Sequence, residues 1–394
     1  MPDSRIDRPL IFFLAAVLLL VTGIHLTGWQ FLLGSPSQRH TMPGAQFDFG
    51  VYRYAARMIV DGQGHSLYDM NLQRDYQTRY RGTQYSFFNY PPYSLLPFLP
   101  LARLPLPLAF MLWTGVNLAL IVGVIAALCR RLGMNQGNWP VLATLAFMPV
   151  WAALVNGQLS ILTLAGFTWS YALWQDKRRM AGGAALGLAA FKPQLVAGFV
   201  CILLLQKRWR ELAGFSLVCL PLAVVSVVLV GVGGLLRYPS FIRQAEQPMP
   251  GLEPAKMANI RGLMSLFSRV EHPWAVILVS IALLILAAWL WNDSGSGFAI
   301  AVCASALVSY HFFPSDLAMA VLPLFLAVPQ LPARSAQVLV ALALTAPVLL
   351  AGWGFAWLAL GLLALLVWAA WWTRKTEAQA AGLPRRSQRQ AATP

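Results

Sequence analysis

The chain has few charged residues: they make up 11% of its 394 positions, against about 25% in soluble globular domains. Apolar residues account for 58%. This composition excludes a water-soluble globule and predicts an integral membrane protein. Because one continuous helical bundle can use the whole length, we expect a single transmembrane domain over 1–394.

Acidic residues are half as common as basic ones, with 14 Asp and Glu against 29 Lys and Arg, so the formal charge is +15. In a soluble protein this excess of basic residues would suggest nucleic acid as a binding partner. Here the basic residues lie mostly in short loops and in the C-terminal tail, as expected for cytoplasmic loops beside anionic headgroups. The sequence therefore predicts membrane lipids, and no nucleic acid, as partners.

Several chemical signatures are missing. The four cysteines lie in apolar runs and form no CxxC motif, which predicts core thiols and no disulfide. No P-loop, GxGxxG or HExxH motif occurs, so nothing indicates nucleotide hydrolysis or a zinc site. We predict no cofactor and no bound metal, and we expect any activated substrate to come from within the membrane.

What the chain does contain is a series of apolar runs, which predict an all-α polytopic membrane protein of about 12 transmembrane helices. The first run shows no convincing cleavage site and is interpreted as an uncleaved span. The predicted spans are 10–33, 107–128, 139–155, 159–175, 181–191, 194–206, 210–236, 273–291, 298–313, 316–332, 335–351 and 355–372.

The stretch 181–206 has the length of one helix, but its flanking charges argue for two. Basic clusters precede it at 177–179 and follow it at 207–210, so a single crossing would place one cluster on the wrong side. Two short helices meeting at Pro193 keep both clusters cytoplasmic. Proline also removes a backbone donor, which suits a turn facing a wet cavity.

With both termini inside, the remaining polar segments fall on the outer face. A first periplasmic loop is expected over 34–106, with an interfacial helix at 51–60 and a re-entrant segment after Pro91. A second periplasmic loop is expected over 237–272, and a cytoplasmic tail over 373–394. The first loop is the largest polar segment of the chain.

Asp48 stands in this first loop, directly after an apolar run. One interpretation is a helix N-cap or a surface carboxylate. The other is a general base beside an apolar cavity, where burial tunes its pKa. Asp61, Asp69 and Asp75 are competing acids in more polar surroundings.

Two cations are candidate ligands for an anionic headgroup. Lys192 lies between two apolar helices, where an unpaired ammonium costs about 2.5–3.5 kcal/mol, so it is either a structural lysine or a phosphate ligand aided by Gln194. Arg261 is a second candidate phosphate ligand, with a surface arginine as the alternative.

The remaining candidates are weaker. His311 is either a core histidine or part of a proton relay with Asp48, and Asp316 either caps the next helix or joins the site. Asn156 and Gln158 flank a glycine, which turn chemistry alone would explain. Tyr90 is typical of an interfacial belt.

These segments, taken in order, resemble glycosyltransferase family 87. The likeness runs from about 45 to 330 and rests on order and spacing, since each motif alone is weak. The late His/Asp region matches only in part, because four residues separate His311 from Asp316. The segments are Phe47 to Tyr52, Ala55-Ala56, Gly62, Leu67-Tyr68, Tyr90-Pro91-Pro92, Asn156-Gly157-Gln158, Phe191-Lys192-Pro193-Gln194 and Tyr310 to Asp316.

The resemblance implies a GT-C-like bundle in the bacterial inner membrane, with the active site facing the periplasm. It implies an inverting glycosyltransferase that moves a hexose, mannose in this family, from a polyprenyl-phosphate-sugar donor to a lipid or glycan acceptor. Asp48 would be the base and Lys192 would face the donor phosphate, while Tyr52, Tyr90 and the 156–158 turn would contact substrate. A transporter or flippase of a lipid-linked or anionic solute is the main alternative, and a polysaccharide polymerase or ligase is a third.

Overall fold

A computed structural model describes residues 16–17, 48–81, 87–134, 139–245, 254–268, 272–350 and 354–382 of the protein. The predicted first span at 10–33 lies, apart from two residues, outside this part. Within the described residues the fold is all-helical and contains no strand.

The described α-helices are numbered here in chain order. They are α1 (Asp48–Val60), α2 (Met70–Arg81), α3 (Leu106–Leu132), α4 (Trp139–Ala146), α5 (Met148–Asn156), α6 (Ser160–Gln175), α7 (Arg179–Leu186), α8 (Pro193–Leu205), α9 (Trp209–Ala245), α10 (Ile260–Ser265), α11 (Pro273–Trp289), α12 (Gly295–Val308), α13 (Val321–Ala327), α14 (Ala333–Leu349) and α15 (Leu358–Gly382). Short 3₁₀ turns join several of them, at Gly64–Ser66, Pro92–Leu95, Leu99–Leu101, Gly187–Phe191, Pro254–Lys256, Asp316–Ala320, Val328–Gln330 and Phe355–Trp357.

In the described part of the chain, three helical segments are long and apolar enough to cross a membrane: α3, α9 and Phe355–Thr376. The other apolar helices are shorter, at 10–17 residues. One predicted span, 139–155, is divided at Phe147 into α4 and α5, because Pro149 at the start of α5 cannot continue the ladder of α4. The fold is that of a membrane protein, and the count of twelve crossings stays a prediction.

The helix predicted at 51–60 forms, but it begins at Asp48 and is packed inside the protein. Its Phe49 and Tyr52 rings contact Phe98, and Phe49 also contacts Phe110. Even Arg53 is only 9% exposed, and it donates to the Leu104 carbonyl. Aromatic side chains of the protein therefore cover most of this helix, and its position at the membrane surface stays a prediction.

The chain reverses direction between α7 and α8. Close packing holds α7 beside α9: a Cβ on Gly183 would lie 1.9 Å from the Glu211 carbonyl oxygen, and one on Gly214 would lie 1.9 Å from that of Met180. Small residues are what allow two helix backbones to approach so closely. The starts of α7 and α9 therefore lie at the same end of the bundle.

A partly buried charge network marks this end. Arg179 pairs with Glu211 at 3.1 Å and with Asp293 at 2.6 Å, and Arg208 also pairs with Asp293. Both basic clusters that flank 181–206 therefore meet at one end, which is the arrangement that the hairpin interpretation requires. Lys192, at the turn of the hairpin, lies at the opposite end.

Helix α9 carries a break at Gly231, where φ is 70° and ψ is 167°. Only glycine adopts this conformation readily. Beyond the break the helix continues to Ala245, past residue 237 where the second periplasmic loop was expected. The segment after the break reaches the end of the bundle that holds Lys192.

Candidate active site

A cavity of about 250 Å³ opens at the Lys192 end of the bundle. Its wall mixes aromatic, amide and charged side chains and draws on segments far apart in the sequence. The lining residues are Asn89, Tyr90, Pro91, Gln158, Lys192, Pro193, Gln194, Tyr238, Ile242, Ala245, Tyr310, His311, Phe313 and Asp316.

Lys192 reaches the cavity because the helix stops there. Its φ of −123° and ψ of 80° are not helical, and Pro193 begins α8 at the first-turn position that proline tolerates. The 3₁₀ turn Gly187–Phe191 leads into the break. The side chain is 1% exposed, so its ammonium requires partners inside the protein.

Asp316 and Ser160 provide these partners. The Lys192 Nζ donates to Asp316 Oδ1 at 2.5 Å and to Ser160 Oγ at 3.0 Å. The Ser160 hydroxyl in turn donates to Asp316 Oδ1 at 2.8 Å. The Phe313 backbone N–H donates to Asp316 Oδ2 at 3.1 Å. Asp316, expected among the substrate ligands, is thus the counter-ion of Lys192.

Asp48 belongs to a second group of bonds. The Gln158 Nε2 amide donates to Asp48 Oδ2, and the Tyr52 hydroxyl donates to Gln158 Oε1 at 3.3 Å. Burial, together with the nearby Tyr90 and Asp48, raises the pKa of Tyr52 well above its ordinary value. The phenol therefore stays protonated at working pH and remains a donor, which fixes the orientation of the Gln158 amide.

One tight turn connects the two groups. Gly157 ends α5 in the left-handed region with φ 62°, and Ser160 begins α6 three residues later. A Cβ on Gly157 would lie 2.6 Å from the Cβ of Phe49, so α1 rests directly on this turn. The Trp113 indole N–H donates to the Gly157 carbonyl at 2.8 Å and holds the turn from the other side.

Several other predicted residues meet at the same cavity. Tyr90 places its ring 5.9 Å from the Lys192 Nζ. His311 lies parallel to Phe313, with 6.0 Å between ring centroids and 10° between planes. Gln194 lines the wall beside Pro193. The proton relay expected between His311 and Asp48 stays a prediction.

Arg261 and Asn156 lie elsewhere. The Arg261 guanidinium stacks over the Tyr310 ring at 4.2 Å; Tyr310 lines the cavity, and Arg261 is not among its lining residues. The role of Arg261 as a phosphate ligand stays a prediction. Asn156 is the last residue of α5 and is not among the lining residues of this cavity in the described structure. The predicted role of Asn156 in substrate binding stays a prediction.

The acids that competed with Asp48 have local structural roles. Asp61 pairs with Arg57 at 2.8 Å, and Asp75 pairs with Arg79 at 2.8 Å. Asp69 accepts from the Asn71 and Leu72 backbone N–H groups at 2.9 and 3.0 Å, which is the bonding of a helix N-cap. None of these three carboxylates lines the cavity. Asp48 does not line it either, but it is bonded to Gln158, which does.

Sequence reasoning missed Ser160, Tyr238 and Asn89. Ser160 begins a helix, where a serine is normally interpreted as a cap, and its partner Asp316 lies 156 residues further along the chain. Tyr238 was assigned to a loop, yet its hydroxyl donates to the Asn89 carbonyl at 3.0 Å across the cavity wall. Only the folded arrangement reveals these contacts.

A known protein family matches a segment that contains some, but not all, of these site residues. The sequence model of glycosyltransferase family 87 matches residues 87–314, which is more than half of the chain. Lys192, Gln158 and His311 lie inside the matched segment. Asp48 and Asp316 lie outside it, so their roles rest on the geometry described above and on the resemblance of the motifs.

One curated relative is the polyprenol-phosphate-mannose-dependent alpha-(1-2)-phosphatidylinositol pentamannoside mannosyltransferase of Mycobacterium tuberculosis (strain CDC 1551 / Oshkosh). The two are 27% identical over 157 residues, which is 38% of this chain and 35% of the relative. The similarity thus covers about a third of the relative's length. No solved structure matches the chain. Because the family model matches more than half of the chain, the chain belongs to glycosyltransferase family 87.

Proposed function

We propose that the protein is an inverting membrane glycosyltransferase that moves a hexose from a polyprenyl-phosphate-sugar donor to a lipid or glycan acceptor. Mannose is the sugar favoured by the relative's name. The single observation that carries the proposal is the position of Lys192, a buried ammonium on the wall of a cavity that also holds Gln158, the partner of Asp48.

Asp48 takes the proton of an acceptor hydroxyl, and the resulting oxygen attacks the anomeric carbon from the face opposite the phosphate. The new C–O bond forms as the bond to the phosphate oxygen breaks, through an oxocarbenium-like state. Polyprenyl phosphate leaves with the electron pair, and Lys192 stabilises its growing negative charge. One displacement inverts the configuration.

A second cavity supports a lipid donor. It measures about 370 Å³, and only apolar side chains line it, from Phe147, α13, α14, α15 and the adjoining turns. Leu317 and Ala320 belong to its lining, directly after Asp316 in the chain. The proposal places the isoprenoid chain of the donor in this apolar cavity and its phosphate at Lys192.

We place the site on the periplasmic side of the bacterial inner membrane. The support is the position of the basic loops: the network of Arg179, Arg208 and Asp293 lies at the end of the bundle opposite Lys192. Loops rich in Lys and Arg favour the cytoplasm, so the cavity end faces outward.

The first experiment is sugar transfer from radiolabelled polyprenyl-phosphate-mannose into host lipid extract by the purified protein in liposomes. Incorporation by the wild type, lost in Asp48→Asn, supports the proposal, and the labelled product identifies the acceptor. The matched control is Asp75→Asn, the same change at an exposed outer-loop carboxylate. Movement of the intact donor between leaflets without transfer would instead indicate a transporter.

A further inference from the structure

We propose that Gln158 and Ser160 are positioning residues that hold the Asp48 carboxylate and the Lys192 ammonium in a fixed relation beside the cavity. The inference rests on the proposed function and deepens it: one turn of backbone would set the geometry between the base and the phosphate-binding cation.

Ser160 acts on the cation. A lysine side chain is a flexible four-carbon stem with three N–H donors and no preferred direction at its end. Ser160 accepts one of these N–H groups and donates its own proton to Asp316, so the three side chains form a closed ring of bonds. Among the bonds between described residues, two of the three ammonium donors are used, which leaves the third to a ligand oxygen.

Gln158 acts on the base. Its Nε2 engages Asp48 Oδ2, while its Oε1 is held by the Tyr52 hydroxyl. The amide can thus present only its N–H side to the carboxylate. A neutral donor at this place orients the carboxylate without forming an ion pair with it, as suits a general base.

The backbone between these two side chains is rigid. Leu159 is 0% exposed and packs in the aromatic cluster around α1, while Gly157 is fixed by Phe49 on one side and Trp113 on the other. A displacement of this turn would move both partners together. The turn therefore contributes to the distance between Asp48 and Lys192 through Gln158 and Ser160.

Substitutions of Ser160 and Gln158 should change different quantities: the affinity for phosphate in the first case and kcat in the second. Ser160→Ala frees the ammonium from one partner, and we expect affinity for the phosphate to fall about tenfold, the loss associated with a hydrogen bond to a charged group. Gln158→Met should lower kcat about tenfold or more with the donor KM unchanged, because it disorients the base alone. A purely structural role would move both parameters in both variants.

The chain offers a matched control for the serine. Ser170 lies on the same helix α6 and is equally buried, and its hydroxyl has no hydrogen-bond partner within the described residues. Ser170→Ala removes the same atom from the same helix. It should leave both donor affinity and kcat at the wild-type values.

The test measures binding of undecaprenyl phosphate to the purified proteins in detergent, followed by transfer kinetics and the pH profile of kcat/KM. Weaker binding by Ser160→Ala, but not by Ser170→Ala, supports the inference, and equal binding by all three proteins overturns it while leaving the proposed function intact. No binding by the wild type overturns both.

The role of Gln158 is tested by the pH profile of Gln158→Glu. In this variant two carboxylates would share a proton and alter the pH profile of kcat/KM, so an unchanged profile overturns the role of Gln158.

Discussion

Lys192 and Asp316 lie 124 residues apart in the sequence and form a buried ion pair, with 2.5 Å between Nζ and Oδ1. Removing one member of a buried pair leaves the other without compensation, which costs about 3–5 kcal/mol. We therefore expect Lys192→Met to lower the melting temperature strongly in detergent. The double variant Lys192→Met with Asp316→Leu should recover most of this loss but none of the donor binding. A double variant as unstable as the single one would contradict the pairing.

The turn at Gly157 gives a sharper geometric prediction. Gly157→Ala adds a Cβ that meets Phe49 at 2.6 Å, whereas Gly133→Ala adds one at a similar φ of 65° with no atom within 4 Å. Both changes introduce backbone strain of about 1 kcal/mol. Only Gly157→Ala should also displace α1 and its Asp48, and we expect it to reduce transfer at least tenfold. Equal activities of the two variants would show that α1 does not rest on this turn during catalysis.

Loss of the proposed base, Asp48, should have a distinct effect on the kinetics. General-base catalysis contributes about 10²–10⁴-fold, so Asp48→Asn should lower kcat by at least 10²-fold while donor affinity is nearly retained. Asp75→Asn serves as the control, since Asp75 is exposed and pairs only with Arg79 among the described contacts. Appreciable transfer by Asp48→Asn would remove Asp48 as the base.

The apolar cavity predicts a dependence on chain length. Ala343 lines this cavity, and Ala343→Trp would fill part of its 370 Å³. We expect the donor KM to rise for long polyprenyl chains and to stay constant for a donor with a short chain. Competition assays with donors of two chain lengths measure the difference. A KM that rises equally for both donors would place the chain elsewhere.

The charge network at the opposite end should matter for stability alone. Arg179 is the partner of both Glu211, whose side chain is 4% exposed, and Asp293. Arg179→Met should therefore destabilise the protein by about 2 kcal/mol, less than a fully buried pair because Arg208 remains nearby. Donor KM should not change. The check is a thermal melt in detergent alongside transfer kinetics on the folded fraction.

Part of this arrangement could be predicted from the sequence. The break at Lys192 followed from Pro193 and from the basic clusters on either side, because proline chemistry and charge placement are local properties. The long helix α3 followed from a continuous apolar run. In each case the signal lies within a few turns of the chain.

Other parts could not be predicted in this way. Helix α1 carries Arg53 and Arg57 at a spacing typical of a surface helix, and only its aromatic contacts with distant segments reveal that it is buried. Asp316 resembles a helix cap until Ser160 and Lys192 are placed beside it. A single sequence does not reveal pairings across more than a hundred residues.

The break at Gly231 divides α9 into a part within the bundle and a part that forms one wall of the cavity. Tyr238, Ile242 and Ala245 line this wall at spacings of four and three, so they share one face of the second part. Substitutions at these three positions would change this wall while Lys192, Asp48 and the partners Ser160, Asp316 and Gln158 are kept. Under the proposed function, the acceptor preference of the protein would then change independently of the proposed base and phosphate-binding cation.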